Sequence, residues 1–303
     1  MQIERHLDPV WGEMLTLTGN GDFNKDQTLV LPLDFGPRIL KFLIADQNIF
    51  KDFPEHRQDT SDNFKLYGGH RLWSAPEDKV DCYEPDNLRI DCEFSENSVL
   101  LRDQKPRKFM REICIKETST WHIEHRLINN SKDEVKISAW PITMLPVHFS
   151  AVLPMPNKTR QGLNPNRNLV LWPYTSLQDS RLSSHADFMS VSPDKSSAFK
   201  IGYFNAAGFL AAQSENHYFV KYYPPGSQGT HPDFSANSEV YTDQNVLELE
   251  SLSSYTSLMP GQSIVHREIW LAAERRSIQR DLLNFARESS KELKMPEGFC
   301  WDF

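Results

Sequence analysis

Four short stretches carry side chains whose types and spacing suit chemistry. The first is Tyr67-Gly68-Gly69-His70-Arg71-Leu72-Trp73-Ser74-Ala75-Pro76-Glu77. Adjacent glycines allow a tight turn or a close approach of backbone to a ligand. His70 and Arg71 then supply a titratable donor and a permanently charged fork, and Trp73 a flat apolar surface of the kind a sugar ring packs on. The same residues also describe a plain turn with a solvated His-Arg pair and a core tryptophan. The second stretch, Val246-Leu247-Glu248-Leu249-Glu250-Ser251-Leu252, alternates. On a strand, Glu248 and Glu250 share one face, about 7 Å apart, with Leu247 and Leu249 on the other. Facing solvent, such carboxylates are ordinary; lining a partly desolvated hollow they become good proton acceptors, because desolvation raises their pKa.

The third stretch, Ser138-Ala139-Trp140-Pro141-Ile142-Thr143, places a proline late in a strand, which predicts an edge or a bulge. The fourth, Leu171-Trp172-Pro173-Tyr174, is followed by Asp179 and Arg181. Both read equally as aromatic-polar surfaces and as core packing. Other chemistries lack their signatures. His122 and His125 are three apart on a strand, so they face opposite sides and do not share a metal. Gly-x-Ser-x-Gly, Walker and dinucleotide fingerprints are all missing. No metal and no cofactor is expected.

Positioning these residues falls to strands. Leu88, Ile90, Cys92 and Phe94 alternate with polar residues before the Ser95-Glu96-Asn97 turn, which predicts a hairpin. Further strands are expected at 28–33, 38–44, 110–116, 120–128, 134–144, 199–204, 208–213, 218–223, 238–242, 246–252 and 263–272. One helix is expected over about 275–293, from apolar residues Ile278, Leu282, Phe285 and Ala286 at three- and four-residue steps, with Pro296 ending it. The proline- and asparagine-rich stretch 146–167 reads as a long loop over a sheet rim. No composition shift divides the chain, so the expectation is one all-β domain spanning residues 1–303.

The balance of 33 Lys+Arg against 41 Asp+Glu gives a net charge of −8, without a basic run, and argues against nucleic acid or an anionic membrane as partner. Cys82, Cys92, Cys114 and Cys300 are too scattered for a disulfide framework and read as thiols in a reducing compartment. No apolar run approaches the ~20 residues of a membrane span, and the first residues lack the pattern of a secretory signal. A cytoplasmic location is expected.

Taken together, the Gly-Gly-His-Arg-Leu-Trp stretch with Ala-Pro-Glu, the Trp140-x-x-Thr143 stretch and Leu-Trp-Pro-Tyr resemble an uncharacterised bacterial branch of the galactose mutarotase-like (aldose 1-epimerase-like) superfamily. Glu239-Val240-Tyr241-Thr242, Leu247-Glu248-Leu249-Glu250 and Leu258-x-Pro260-Gly261 with Trp270 point the same way. The resemblance implies a β-supersandwich with a sugar-binding groove. It also implies ring opening of an aldose by one base and one acid, without metal, cofactor or covalent intermediate. Glu250, in a Leu-Glu-Ser setting, matches the family's catalytic glutamate. The family's histidines have no direct match, since Trp140 stands at about one position and Tyr67 before the glycines at the other. His70 is therefore the expected acid, facing Glu250 across one cleft.

Substrate contacts are expected from Arg71, Trp73, Glu77, Trp140, Thr143, Trp172, Arg181 and Glu248. The ligand is expected to be a small carbohydrate, free or phosphorylated, the arginines being the reason to include phosphate. The alternatives are a non-catalytic carbohydrate-binding protein and a glycan hydrolase or lyase accessory domain, in which paired carboxylates such as Glu77 and Glu250 would act.

Overall fold

The computed structural model describes residues 1–156, 163–194 and 196–293. Among them the chain is mostly β, in three antiparallel sheets of five, ten and eight strands. The five-stranded sheet is built from the N-terminal run, Gln2–Asp8, Gly12–Thr18, Gln27–Pro32, Lys41–Ile44 and Gln47–Asn48. The ten-stranded sheet has Ser263–Glu274 near its middle, paired with His217–Tyr222 on one side and Trp121–Asn129 on the other. In the eight-stranded sheet the order is Val170–Leu171, Phe199–Tyr203, Ser238–Thr242, Val246–Ser251, Val135–Pro146, His70–Ala75, Arg38–Ile39, with Thr256–Leu258 added beside Val135–Pro146.

Alternation decides what each face buries. Leu72, Ala139, Ile201, Val240, Leu247 and Leu249 of the eight-stranded sheet pack in one core with Ile113, Ile115, Trp121, Ile123 and Trp270 of the ten-stranded sheet. The outer face of the ten-stranded sheet is buried as well, because Phe209, Ala211, Val220 and Leu271 meet Leu282, Phe285 and Ala286 of the C-terminal helix. That helix runs Leu282–Glu292, where Asp281 caps it by accepting from the Asn284 N–H at 2.9 Å. It therefore starts later than 275, since Arg275–Ser277 forms a separate 3₁₀ turn.

Three further expectations are corrected. The run 38–44 is not one strand: it breaks at Leu40, with Arg38–Ile39 pairing His70 and Arg71 while Lys41–Ile44 pairs Gln27–Val30. The stretch 146–167 is not all loop, because Ser150–Pro154 is a strand between Phe188–Val191 and Phe209–Gln213; residues 157–162, like Pro296 and Cys300, lie outside those described. Nor is Pro141 at the outer edge of the sheet. Its strand is flanked on both sides, and the proline falls where one neighbour changes from Thr256–Leu258 to Val246–Ser251, a position that asks little of its missing N–H. Among the described residues no helix is long and apolar enough to cross a membrane.

Candidate functional site

The Gly68-Gly69 turn adopts left-handed angles (φ 90° and 72°), and a Cβ there would collide with the carbonyls of Lys51 and Ile39. The glycines thus serve a close approach of backbone to backbone rather than to a ligand. Directly after the turn the chain becomes the strand His70–Ala75. Alternation then sends His70 and Leu72 into the core, and Arg71 and Trp73 to the opposite face.

On that opposite face lies a cleft of about 440 Å³, within the roughly 300–1,000 Å³ of small-molecule sites. Trp73, Trp140, Trp172, Tyr83, Tyr174 and Tyr241 form most of its aromatic lining, and Arg71, Lys200, Glu77, Asp243 and Glu248 its charged lining. Trp73 and Trp140, paired across strands, meet edge to face at 5.6 Å. A second hollow of about 390 Å³ beside the C-terminal helix has neither tryptophan nor tyrosine in its wall.

The charged groups are unusually placed for a sheet face. Arg71 lies over Trp73, its guanidinium carbon 4.1 Å from the ring centre, and one nitrogen is 3.5 Å from Glu248. Burial pushes the Glu248 carboxyl up to about 7, against the pull of Arg71 and with the help of Glu250. Glu250 is fully buried on the same face. Its Oε2 accepts from the Trp140 indole N–H and from the Lys200 ammonium, each at 2.8 Å, while its Oε1 has no hydrogen-bond partner. Lys200 also meets Glu239 at 2.7 Å and stands 4.6 Å from the ring centres of both Trp140 and Trp172. Burial acts to lower the Lys200 pKa, but the two carboxylates outweigh it and hold it above the usual lysine range. For Glu239 burial wins over Lys200, and the carboxyl is driven well above its ordinary value.

Of the residues expected at the site, the structure brings Arg71, Trp73, Glu77, Trp140, Trp172 and Glu248 to this cleft, with Glu250 just beneath its lining. Three expected residues are elsewhere. Arg181 is held by Asp179 at 2.8 and 2.9 Å and by the Ser197 carbonyl at 2.6 Å, away from the cleft lining. Thr143 and His70 point into the core, where the Thr143 hydroxyl lies 2.9 Å from His70 Nδ1. His70 and Glu250 accordingly lie on opposite faces of one sheet and do not face each other across a cleft. Lys200 was not singled out by the sequence, and Tyr174, Glu239 and Tyr241 stood there only within longer stretches, with no role assigned. The signal for Lys200 was a lysine between Phe199 and Ile201 in a strand otherwise free of charge.

His122 and His125 do face opposite ways, but His125 joins His70 and Glu268 in a buried group whose ligand atoms lie within 4.8 Å of one another. Two imidazole nitrogens on one tetrahedral ion at ~2.0–2.1 Å stand roughly 3.3 Å apart. Here His70 Nε2 and His125 Nε2 are 2.7 Å apart, a hydrogen bond. Glu268 is already taken by the Lys221 ammonium at 2.7 Å, the Ser251 hydroxyl at 2.6 Å and the Trp270 indole at 2.7 Å. These residues suit an internal hydrogen-bond network and do not fit a metal.

No protein-family model matches the chain, and no curated protein matches it. Solved structures do. A galactose mutarotase-like protein from Lactobacillus casei superposes with a TM-score of 0.56 at 7% identity, covering 85% of this chain and all (100%) of that one. An Escherichia coli protein provisionally named as an aldose 1-epimerase gives 0.54 at 11% identity, over 86% of this chain and 99% of that one. A galactose mutarotase-like protein from Clostridium acetobutylicum gives 0.53 at 10% identity, over 90% and 98%. The fold is therefore similar to that of galactose mutarotase-like proteins; at such identities the likeness speaks for architecture alone.

Proposed function

We propose that this protein binds a small carbohydrate in the cleft on the outer face of its eight-stranded sheet. The observation that carries the reading is the composition of that cleft: the indoles of Trp73, Trp140 and Trp172 beside Arg71 and Glu248. Sugars present apolar ring faces and polar edges at once, so they need flat aromatic surfaces next to groups that donate and accept hydrogen bonds. The fold likeness to structures named for aldose chemistry is consistent with that ligand class without deciding it. Tryptophan fluorescence and ligand NMR with glucose, galactose and their 6-phosphates test it. Saturable binding of one of them is expected, and no binding across the set would defeat it.

A second reading, aldose 1-epimerase-type exchange of anomers, is favoured by the position of Glu248. A carboxyl that titrates near 7 and lines the cleft is suited to give and take a proton at neutral pH. In this reading Glu248 takes the acid's place that the buried His70 cannot fill, and Glu250, held by Trp140 and Lys200, is the base. NMR of freshly dissolved α-anomers, with and without protein, checks it: exchange should accelerate with the native protein and lose most of the acceleration in Glu250→Gln. Binding without acceleration would leave a carbohydrate-binding protein.

A further inference from the structure

Glu239 and Glu250 are directly opposed residues of neighbouring antiparallel strands. Opposed side chains on one face have Cβ atoms about 4.5–5.5 Å apart, and like charges there repel. Both carboxyl groups are fully buried, and both reach the same ammonium, that of Lys200, at 2.7 and 2.8 Å. Two carboxylates and one ammonium would leave a net negative charge in a dry place, a state that buried groups avoid by taking up a proton.

No second cation bonds either carboxyl: Arg71 and Lys221 act on Glu250 through space, but they are engaged with Glu248 and Glu268. On its own strand Glu250 is preceded on the same face by Glu248, whose cation is Arg71 of His70–Ala75 at 3.5 Å. From the turn Pro232–Ser235 comes Asp233, another carboxyl that burial drives upward and that raises Glu239 further. Tyr174 adds only a phenol, itself pushed up to about 12 by burial. Of the two opposed carboxyls, Glu250 has the better anionic partners, accepting both the Trp140 indole and the lysine. Glu239 has the lysine and the neighbouring Asp233. The proton therefore belongs on Glu239.

We propose that Lys200 and Glu239 are a positioning pair for the cleft. Glu239 is held as the neutral acid, so that the single ammonium serves Glu250, and Lys200 fixes the indoles of Trp140 and Trp172 between which it sits. Lys200 lies outside the stretches that carry the family resemblance, and Glu239, which lies in one of them, is given no role by it. The ligand part of the inference rests on the carbohydrate reading above; the proton part does not.

Carboxyl NMR of protein labelled with ¹³C at the glutamate side chains decides the proton. One signal, assigned by its loss in Glu239→Gln, should have the neutral-acid shift at pH 7 and keep it far above the ordinary glutamate range near 4.3. A Glu239 signal that titrates in that ordinary range overturns the assignment. Sugar titrations decide the positioning role. Lys200→Met should weaken binding tenfold or more with a changed tryptophan emission, while Lys200→Arg, which keeps the charge and the ring contacts, should stay within about threefold. Equal affinity in native protein and Lys200→Met overturns it. Should Lys200→Met fail to fold, the triple variant with Glu239→Gln and Glu250→Gln removes all three ionisable groups together, and it should fold yet still bind weakly if Lys200 orients the indoles. If the native protein binds no sugar, the ligand part falls with the carbohydrate reading, and the NMR result still decides the protonation of Glu239.

Discussion

His70 and His125 meet nitrogen to nitrogen, 2.7 Å apart, across the space between the two large sheets, and both are fully buried. Their other partners set the direction of each hydrogen. The His266 carbonyl, 3.2 Å from His125 Nδ1, can only accept, so that nitrogen donates and His125 Nε2 accepts. His70 Nε2 is then the donor, and His70 Nδ1 accepts from the Thr143 hydroxyl at 2.9 Å. His266 in turn donates through Nε2 to Ser251 Oγ at 2.9 Å, whose own hydrogen goes to Glu268. This chain pins one sheet to the other with neutral imidazoles.

Truncating the chain should therefore act on stability and not on the cleft. His70→Ala removes the partner of the Thr143 hydroxyl hydrogen and of His125 Nε2, leaving Thr143 only Lys221 at 3.4 Å and His125 only the His266 carbonyl, and it opens a cavity beside Trp270, against which His70 packs at 4.7 Å. A loss of about 2–5 kcal/mol is expected by urea denaturation, with the sugar affinity of the folded protein unchanged. An affinity loss without a stability loss would return His70 to the site.

Stability should fall on the acid side from an early point. Burial lowers all three imidazoles, His125 to about 4, His266 to about 3 and His70 well below its usual value. In the unfolded chain they protonate near 6.5. Below that pH the unfolded state binds more protons, so their contribution is complete above about 6.5 and is lost as pH falls towards the folded values. Each histidine adds a slope of about 1.4 kcal/mol per pH unit in that window. Denaturant titrations at pH 7, 6 and 5 measure it; a flat profile between 7 and 5 contradicts neutral buried imidazoles.

Glu248 should give the opposite trend. Its folded pKa of about 7 stands above the ordinary glutamate value of about 4.3, so its contribution is complete below about 4.3 and is lost as pH rises through about 7. Glu248→Gln, which mimics the protonated acid, should therefore gain on the native protein across that interval, by a few kcal/mol at most. Parallel denaturation curves of the two proteins at pH 5 and pH 8 provide the check, and a constant difference between them would remove Glu248 as a near-neutral proton carrier.

Trp172 offers the cleanest probe of binding, since it is only half-buried and its strand neighbour Val170–Leu171 is at the sheet's end. Trp172→Ala should cost the fold little and weaken sugar binding at least tenfold, about 1.4 kcal/mol. Native affinity in this variant would place the sugar away from Lys200 and Trp140.

Legibility followed the period of two. The run Val246-Leu247-Glu248-Leu249-Glu250 declared which residues share a face, and the structure puts Leu247 and Leu249 in the core and Glu248 in the cleft. What alternation does not declare is whether the polar face looks at solvent or at other protein. Phe199–Tyr203 is buried on both faces, so Lys200 reads as an exposed lysine until Ser238–Thr242 is laid beside it with Glu239. His70 misled for a related reason. A glycine pair followed by His-Arg looks like a loop, and only the pairing His70↔Thr143 and Arg71↔Ile142 makes it a strand, after which parity alone parts the imidazole from the guanidinium. The strand break at Leu40 was hidden because 38–44 is apolar enough to belong to either sheet.

That break at Leu40 has a mechanical consequence. Ile39 is registered with His70 in the large sheet, and two residues later Lys41 is registered with Val30 in the small one. With so little slack, the N-terminal sheet is stitched to the body of the molecule and has no hinge there about which to swing. Peeling it away tugs on the edge next to the histidine chain, so the N-terminal strands and the internal network should melt as one cooperative unit.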